Sequence, residues 1–95
     1  MNTTPAIIDA EEIINSDEEI IVDMTAESVR IRAPYARSDE QDLIVGVNGV
    51  NWSIPQDGKE HDVPPAVAWE LLRSEREKRK FYQTQERLLK NSKII

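Results

Sequence analysis

The sequence predicts an α+β protein in which a small antiparallel β-hairpin module lies between an extended acidic N-terminal arm and a long C-terminal α-helix. Three observations predict it. An Asn48-Gly49 pair separates two apolar runs, residues 66–91 contain neither glycine nor proline, and residues 1–29 carry eight acidic residues and no basic one. A chain of 95 residues allows one small domain. We divide it into an arm over 1–28, a β-hairpin module over 29–63 and a helix over 64–95.

The β-hairpin is predicted from the turn outward. Asparagine and glycine both tolerate the positive φ that a type I′ turn requires, so Asn48-Gly49 is a strong hairpin signal. Counting outward pairs Val47 with Val50 and, at the far end, Leu43 with Ile54. One face is then apolar, and we expect it to be buried against the helix. Its members are Leu43, Val45, Val47, Val50, Trp52 and Ile54, facing Val67 and Leu71.

Shorter strands are predicted on either side of the hairpin. Residues 29–33 alternate between apolar and polar side chains, which is the pattern of a half-buried strand. Residues 61–63 either add a further short strand or provide, in Asp62, a cap for the helix that follows.

The last third of the chain is predicted to be one helix from Ala66 to about Asn91. A helix of about 26 residues is about 39 Å long, which exceeds the width of a small β module, so it should protrude. Its first turns are apolar, residues 73–80 contain no apolar side chain, and apolar residues return from Phe81 onward. A protruding helix with an apolar tip indicates a binding partner.

The acidic arm is predicted to contain one short amphipathic helix, because Ile7, Ala10 and Ile14 fall on one helical stripe. So short a helix is marginal in water. The arm is therefore expected to be either a flexible tail or a segment that becomes ordered on a partner. An acidic arm next to a basic stretch such as 73–80 can pair with it, either within one molecule or between neighbours in an assembly.

Composition excludes several classes of protein. The chain has no cysteine, which excludes disulfide scaffolds and cysteine-based zinc sites, and its single histidine, His61, cannot build a multi-histidine metal site. No apolar run approaches the roughly 18 residues of a membrane span, and the N-terminus lacks the pattern of a signal peptide. We expect the protein to stay in the cytoplasm unless it leaves inside a larger particle.

No motif predicts catalysis, a metal or a cofactor. The paired carboxylates lie in the acidic arm, where solvated surface is expected, and the glycines near Asn48 lack the pattern of a phosphate-binding loop. The basic run 73–80 is the one nucleic-acid candidate. Its cations spread around the helix among Glu75 and Glu77, and the net charge of the chain is −6, so a solvated face with internal ion pairs is expected.

The order of motifs in the middle of the chain resembles that of small proteins of tailed bacteriophages, typically encoded among the head and portal genes. The motifs are a strand over 29–34, the hairpin sequence 44–49, the turn residues Ile54-Pro55 and Gly58-Lys59, and Val63-Pro64 at the helix start. The resemblance covers about residues 29–72. It implies a structural component of the virion, made in the host cytoplasm, with no enzymatic residues to carry over.

Three functions follow as hypotheses. The first is a structural accessory protein present in several copies in a symmetric phage particle, which contacts the major capsid or portal protein through its arm and helix. The alternative is an acidic soluble phage protein that binds and inhibits or regulates a host protein, with the arm imitating phosphate groups. The third is an interaction adaptor of the cell itself.

In the first hypothesis the arm and the distal helix, over about 81–95, are the contact surfaces, and both should be far less ordered in the isolated protein. Trp69 suits a core position and an interface equally well. The expected partner-binding residues are Ile7, Ile14, Ile20, Ile21, Trp69, Phe81, Tyr82, Leu88 and Leu89.

Overall fold

The structure is a computed structural model that describes residues 7–35 and 42–91, and the predicted α+β class is confirmed. The described residues form seven elements: β1 (Ile8–Asp9), α1 (Ala10–Ile14), β2 (Val29–Arg32), β3 (Leu43–Val47), β4 (Val50–Ile54), β5 (Glu60–Val63) and α2 (Pro65–Asn91). They build a two-stranded sheet, a three-stranded sheet and a long helix that packs on both.

The strands β3 and β4 form the predicted hairpin in the predicted register. Leu43 pairs with Ile54 at one end and Val47 with Val50 at the other. Asn48 has a φ of 51° and Gly49 a φ of 78°, the left-handed values that a type I′ turn requires. The local turn chemistry therefore sets the register of the whole hairpin.

Only the end of the hairpin that lies far from the turn is buried. Leu43, Val45 and Ile54 belong to the core, but Val50 is 54% and Trp52 38% exposed. The prediction that the entire apolar face is buried is wrong at these two residues. The physical reason is that the turn end of the hairpin borders an open groove beside the first turn of α2.

The three-stranded sheet has the order β1-β2-β5. The β2 and β5 strands are antiparallel, and their alternating pattern turns Ile31 into the core and Arg30 outward. Arg30 Nε donates to Asp62 Oδ1 across the two strands at 3.0 Å, a favourable cross-strand pair. Asp62 thus belongs to a strand, and α2 begins only at Pro65.

Residues 7–28, which we call the N-terminal segment, pack onto the domain core. The extended arm predicted over 1–28 is therefore not confirmed. The β1 strand runs parallel to β2, with Ile8 opposite Ile31, and α1 packs against α2. Ala10 and Ile14 are buried there. A helix of five residues has almost no stability alone, and these tertiary contacts supply it. Residues 1–6 of the predicted arm lie outside the described residues.

The helix α2 divides into a packed half and a protruding half. Val67, Ala68, Leu71 and Leu72 are buried in its first two turns. Every side chain from Lys80 to Lys90 is exposed, and the described molecule measures 64 × 27 × 26 Å. The predicted long helix and its protrusion are therefore confirmed over Pro65–Asn91, and residues 92–95 of the predicted helix lie outside the described residues.

Two leucines of this one helix provide a matched pair of substitutions. Leu71→Ala removes a fully buried side chain and is expected to lower the free energy of unfolding by about 2–5 kcal/mol. Leu88→Ala alters an exposed position and should change it by less than about 0.5 kcal/mol. Urea unfolding followed by circular dichroism measures both, and equal losses would contradict the division of α2.

The turn of the hairpin is tested by Gly49→Val. No atom lies within 4 Å of the position a Cβ would take, so the cost is conformational and comes from the positive φ of 78°. We expect the free energy of unfolding to fall by about 1–2 kcal/mol. Asn48→Gly is the control, because glycine adopts the φ of that position freely. A Gly49→Val variant as stable as the wild type would refute the assigned turn.

Candidate protein-interaction surface

Two arginines of α2 hold the N-terminal segment against the helix. Arg76 donates to the carbonyl oxygens of Ile13 at 2.6 Å and of Glu18 at 2.7 Å. Arg79 donates from its two terminal nitrogens to the two carboxylate oxygens of Glu11, at 2.7 and 2.8 Å. Charge-assisted and bidentate bonds of this kind are the stronger ones in proteins. We call these contacts of Arg76 and Arg79 the clamp.

The clamp also binds the C-terminal end of α1. The carbonyl oxygen of Ile13 accepts a hydrogen bond from the backbone N–H of Ser16 at 3.1 Å and a second one from Arg76. The hydrogen bonds between Arg79 and the Glu11 carboxylate, together with their opposite charges, hold the pKa of Glu11 below and that of Arg79 above the ordinary value. Both effects favour the folded position of α1.

The remaining cations of the basic stretch are also used inside the chain. Arg73 pairs with Glu70 and with Glu77, Lys78 Nζ lies 3.0 Å from a carboxylate oxygen of Glu75, and Lys80 Nζ lies 3.2 Å from one of Asp17. Of the two pairings that the sequence leaves open for the acidic segment, the structure contains the one within a single molecule. These ion pairs favour a structural role for the run over phosphate binding.

Beyond the clamp, α2 carries an exposed apolar surface that we call the distal stripe. It comprises Phe81, Tyr82, Leu88 and Leu89, whose residues are 58–71% exposed. Phe81 is seven positions from Leu88, and Tyr82 is seven positions from Leu89, so all four lie on the same side of the helix. Gln85 lies on that side too, between the aromatic pair and the leucine pair. The aromatic rings of Phe81 and Tyr82 meet edge to face, with centroids 5.9 Å apart.

A second exposed surface lies between α1 and β2, in residues 18–27, which we call the acidic loop. Ile21 is 80% and Met24 54% exposed there, whereas Ile20 and Val22 pack against the core. The loop also carries four carboxylates and no cation. Within the described ranges none of the four forms an ion pair; they are those of Glu18, Glu19, Asp23 and Glu27.

A third surface is the groove between the turn of the hairpin and the start of α2. Its volume is about 260 Å³, and its walls include Val50, Trp52, Pro64 and Val67. The groove is shallow and mostly apolar, and it carries no charged side chain among its described lining residues.

The predicted partner-binding residues separate into three groups. Ile7, Ile21 and the whole distal stripe are exposed, as a contact surface requires. Ile14 is buried in the core of its own chain, which removes it from the available surface, and Ile20 packs partly against that core. Trp69 is half-buried, with the guanidinium carbon of Arg73 5.7 Å from its ring centroid.

Sequence reasoning missed the clamp and the exposure of Met24. The excess of acid in the N-terminal segment and of base in 73–80 indicates that the two attract each other. It does not indicate that Arg76 binds backbone carbonyls. Every residue has a backbone carbonyl, so the sequence cannot show which of them accepts a hydrogen bond from a side chain.

One histidine lies beside a carboxylate in the described part of the chain. His61 Nε2 lies 3.0 Å from Asp57 Oδ1, and this hydrogen bond lowers the pKa of Asp57. The described part of the chain brings no three histidine or acidic side chains close enough to hold a metal ion. No helix within the described ranges is both long and apolar enough to cross a membrane.

Comparison of the chain with protein families, with curated proteins and with solved structures finds no match. A functional argument for this chain therefore starts from its surfaces.

The clamp predicts a dependence of stability on pH. Because the pKa of Glu11 is lowered in the folded state, its stabilising effect is complete above the ordinary value of 4.5 and is lost as the pH falls through the lowered value. We expect Glu11→Gln to reduce the free energy of unfolding at neutral pH by less than about 1 kcal/mol, since the pair is partly solvated. The difference from the wild type should shrink on acidification.

Urea unfolding between about pH 3 and pH 7 measures this difference. Glu12→Gln is the matched control, because Glu12 is exposed and forms no ion pair with the described residues. A loss for Glu11→Gln that stays constant over this pH range would contradict the assignment.

Proposed function

We propose that this chain is a structural accessory protein of a tailed-phage particle and that its distal stripe makes protein contacts within that particle. The single observation that carries the proposal is the protruding half of α2. Its four large apolar side chains are exposed on a helix whose base is fixed by the clamp.

The distal stripe has the properties of a protein-binding surface. Burying a leucine or phenylalanine side chain contributes about 1.5–3 kcal/mol, so four such exposed residues represent a large unused driving force. Apolar positions that recur on one side of a helix suit an apolar groove in another protein. The helix is already formed and held at its base, which reduces the entropy lost on binding.

The alternative function as a phosphate-imitating inhibitor has less support. An inhibitor of that kind needs an extended row of free carboxylates, but Glu11 and Asp17 are paired with Arg79 and Lys80 of the same chain. Among the described residues of the N-terminal segment, this leaves the carboxylates of Glu12 and of the acidic loop unpaired. The acidic segment is also built into the fold through Ile8 and Ile14, and does not extend from it as a separate arm.

The resemblance of the sequence to small phage proteins also supports a role in a phage particle. It covers about residues 29–72, which hold the hairpin, β5 and the packed start of α2. The distal stripe lies beyond that range. In the proposed function, the common module provides the base and the distal helix provides the contact specific to this protein.

The test is the presence of the chain in purified particles. In particles purified on a density gradient from cells that produce both phage and protein, we expect a stoichiometric 10.9 kDa band, identified by mass spectrometry. Leu89→Asp should reduce its amount about tenfold or more, because a carboxylate cannot enter an apolar contact. The matched control is Gln83→Asp, which adds the same charge on the polar side of the helix.

Both variants should unfold at the same urea concentration as the wild type, because both positions are exposed. Particles that lack the wild-type chain would refute the proposed function. Equal retention of the Leu89→Asp and Gln83→Asp variants would refute the role of the distal stripe.

A further inference from the structure

We infer that two copies of this chain associate through the outer edge of β4, so that their hairpins join into one four-stranded antiparallel sheet. The inference goes beyond the proposed function, because it uses the hairpin and leaves the distal stripe free for another protein. It follows from the unpaired backbone groups on this edge, from the symmetry of the edge about Trp52 and from the exposed apolar side chains of the strand.

The outer edge of β4 carries unpaired backbone groups. In an antiparallel pair, only alternate residues point their N–H and C=O groups toward the neighbouring strand. The two-residue turn makes Val47 and Val50 a hydrogen-bonded pair, so the backbone groups of Asn51 and Ser53 point away from β3. Neither of these two residues has a backbone hydrogen bond to another described residue on that side. An edge of this kind is a template for a further strand.

The rest of the described chain leaves β4 uncovered. The helix α2 packs on β3, where Leu43 and Val45 are buried, whereas residues 50–53 of β4 are all exposed. The edge also lacks the features that normally prevent pairing between molecules, since β4 contains neither proline nor a charged residue. The β5 strand, which is the outer strand of the other sheet, carries such charges in Glu60 and Asp62.

The edge of β4 is complementary to a second copy of itself. Asn51 and Ser53 lie on either side of Trp52, so a two-fold axis at Trp52 places Asn51 of each copy opposite Ser53 of the other. Both residues point their backbone groups outward, so the two pairs together exchange four hydrogen bonds. The net charge of −6 on each copy places no like charges directly opposite each other at this uncharged edge. A contact of this isologous kind closes as a dimer.

Pairing also covers the apolar side chains that the hairpin leaves exposed. Val50 and Trp52 share one face of the strand with the buried Ile54. In the joined sheet Trp52 stands opposite its counterpart, and Val50 stands opposite Ile54 of the other copy, which are favourable aromatic and apolar cross-strand pairs. The groove between the turn and the start of α2 lies on this same face, and no charged side chain is among its described lining residues. A second copy thus removes the exposure that contradicts the predicted burial of the whole apolar face.

A charge exchange at the edge tests the inference with the full chain. The lysine variant carries Asn51→Lys and Ser53→Lys, and the glutamate variant carries Asn51→Glu and Ser53→Glu. Sedimentation equilibrium measures the association of the wild type, of each variant alone and of an equal mixture of the variants.

We expect the wild type to form dimers. Each variant alone should associate at least about tenfold more weakly, because like charges then lie directly opposite each other across the two-fold axis. The equal mixture should recover association as a heterodimer, since every lysine then faces a glutamate.

A proline substitution tests the backbone hydrogen bonds without added charge. Asn51→Pro removes an N–H that points away from β3, so the hairpin keeps its own bonds while the edge of each copy loses a donor. Association should fall at least about tenfold. Ile44→Pro is the matched control, because it removes an outward N–H from β3 and should leave association within about twofold of the wild type. Urea unfolding checks that both variants fold.

The emission of Trp52 reports on the same contact. Trp69→Phe leaves Trp52 as the only tryptophan, and its emission should shift to shorter wavelength as rising protein concentration removes the indole from water. Leu89→Asp, on the distal stripe, should leave both the association and this shift unchanged.

Four results would overturn the inference: a wild type that stays monomeric, a mixture that associates no better than its components, an association that Asn51→Pro leaves intact, or one that Leu89→Asp abolishes. A chain that dimerises through β4 but is absent from purified particles would refute the proposed function alone. A chain present in particles but monomeric in solution would refute this inference alone.

Discussion

The clamp between α2 and the N-terminal segment is the interaction on which the rest of the architecture depends. The helix α1 has five residues and the β1 strand has two, so neither can persist without support from elsewhere in the chain. Arg76 and Arg79 give that support across more than 60 residues of sequence. With the segment in place, Ala10 and Ile14 close the core, and a stretch rich in negative charge becomes part of a folded domain.

The same interaction determines what is left exposed. The basic side chains of residues 73–80 are paired with the acidic segment and with helix neighbours, so the middle of α2 joins the N-terminal segment to the helix. The apolar side chains that remain exposed lie outside the contacts of the clamp. Most of the large ones belong to the distal stripe, to Ile21 and Met24 of the acidic loop, and to the groove at the hairpin turn.

Elements governed by local chemistry could be predicted from the sequence, and those governed by long-range packing could not. Asn48-Gly49 determines a turn and hence a register, and the absence of helix breakers after Pro65 determines one long helix. The exposure of Trp52 depends on where α2 lies relative to the hairpin, which no local pattern contains. Ile8 opposite Ile31 is a two-residue parallel pairing, too short to produce a recognisable pattern.

The candidate surface shows the same division. The distal stripe could be predicted residue by residue, because a helix longer than its module must expose its end. The sequence predicts that Ile14 contacts a partner, because no apolar residue near it in the acidic segment could bury it. In the structure it is buried by α2, which lies more than 50 residues later in the chain. Sequence patterns report how apolar a residue is; they do not report which part of the chain covers it.

One detail of the clamp bears on which substitutions this fold can accept. Arg76 binds two main-chain oxygens, and the side chains at positions 13 and 18 take no part in those bonds. Related sequences can therefore differ at position 18 without loosening the contact. Position 76 has no such freedom, because its two bonds leave from different nitrogens of one planar group, and a lysine offers a single nitrogen to both carbonyls. Selection on the bonds of Arg76 would act on position 76, while position 18 is left free to change its charge; position 11 has no such freedom, because its carboxylate binds Arg79.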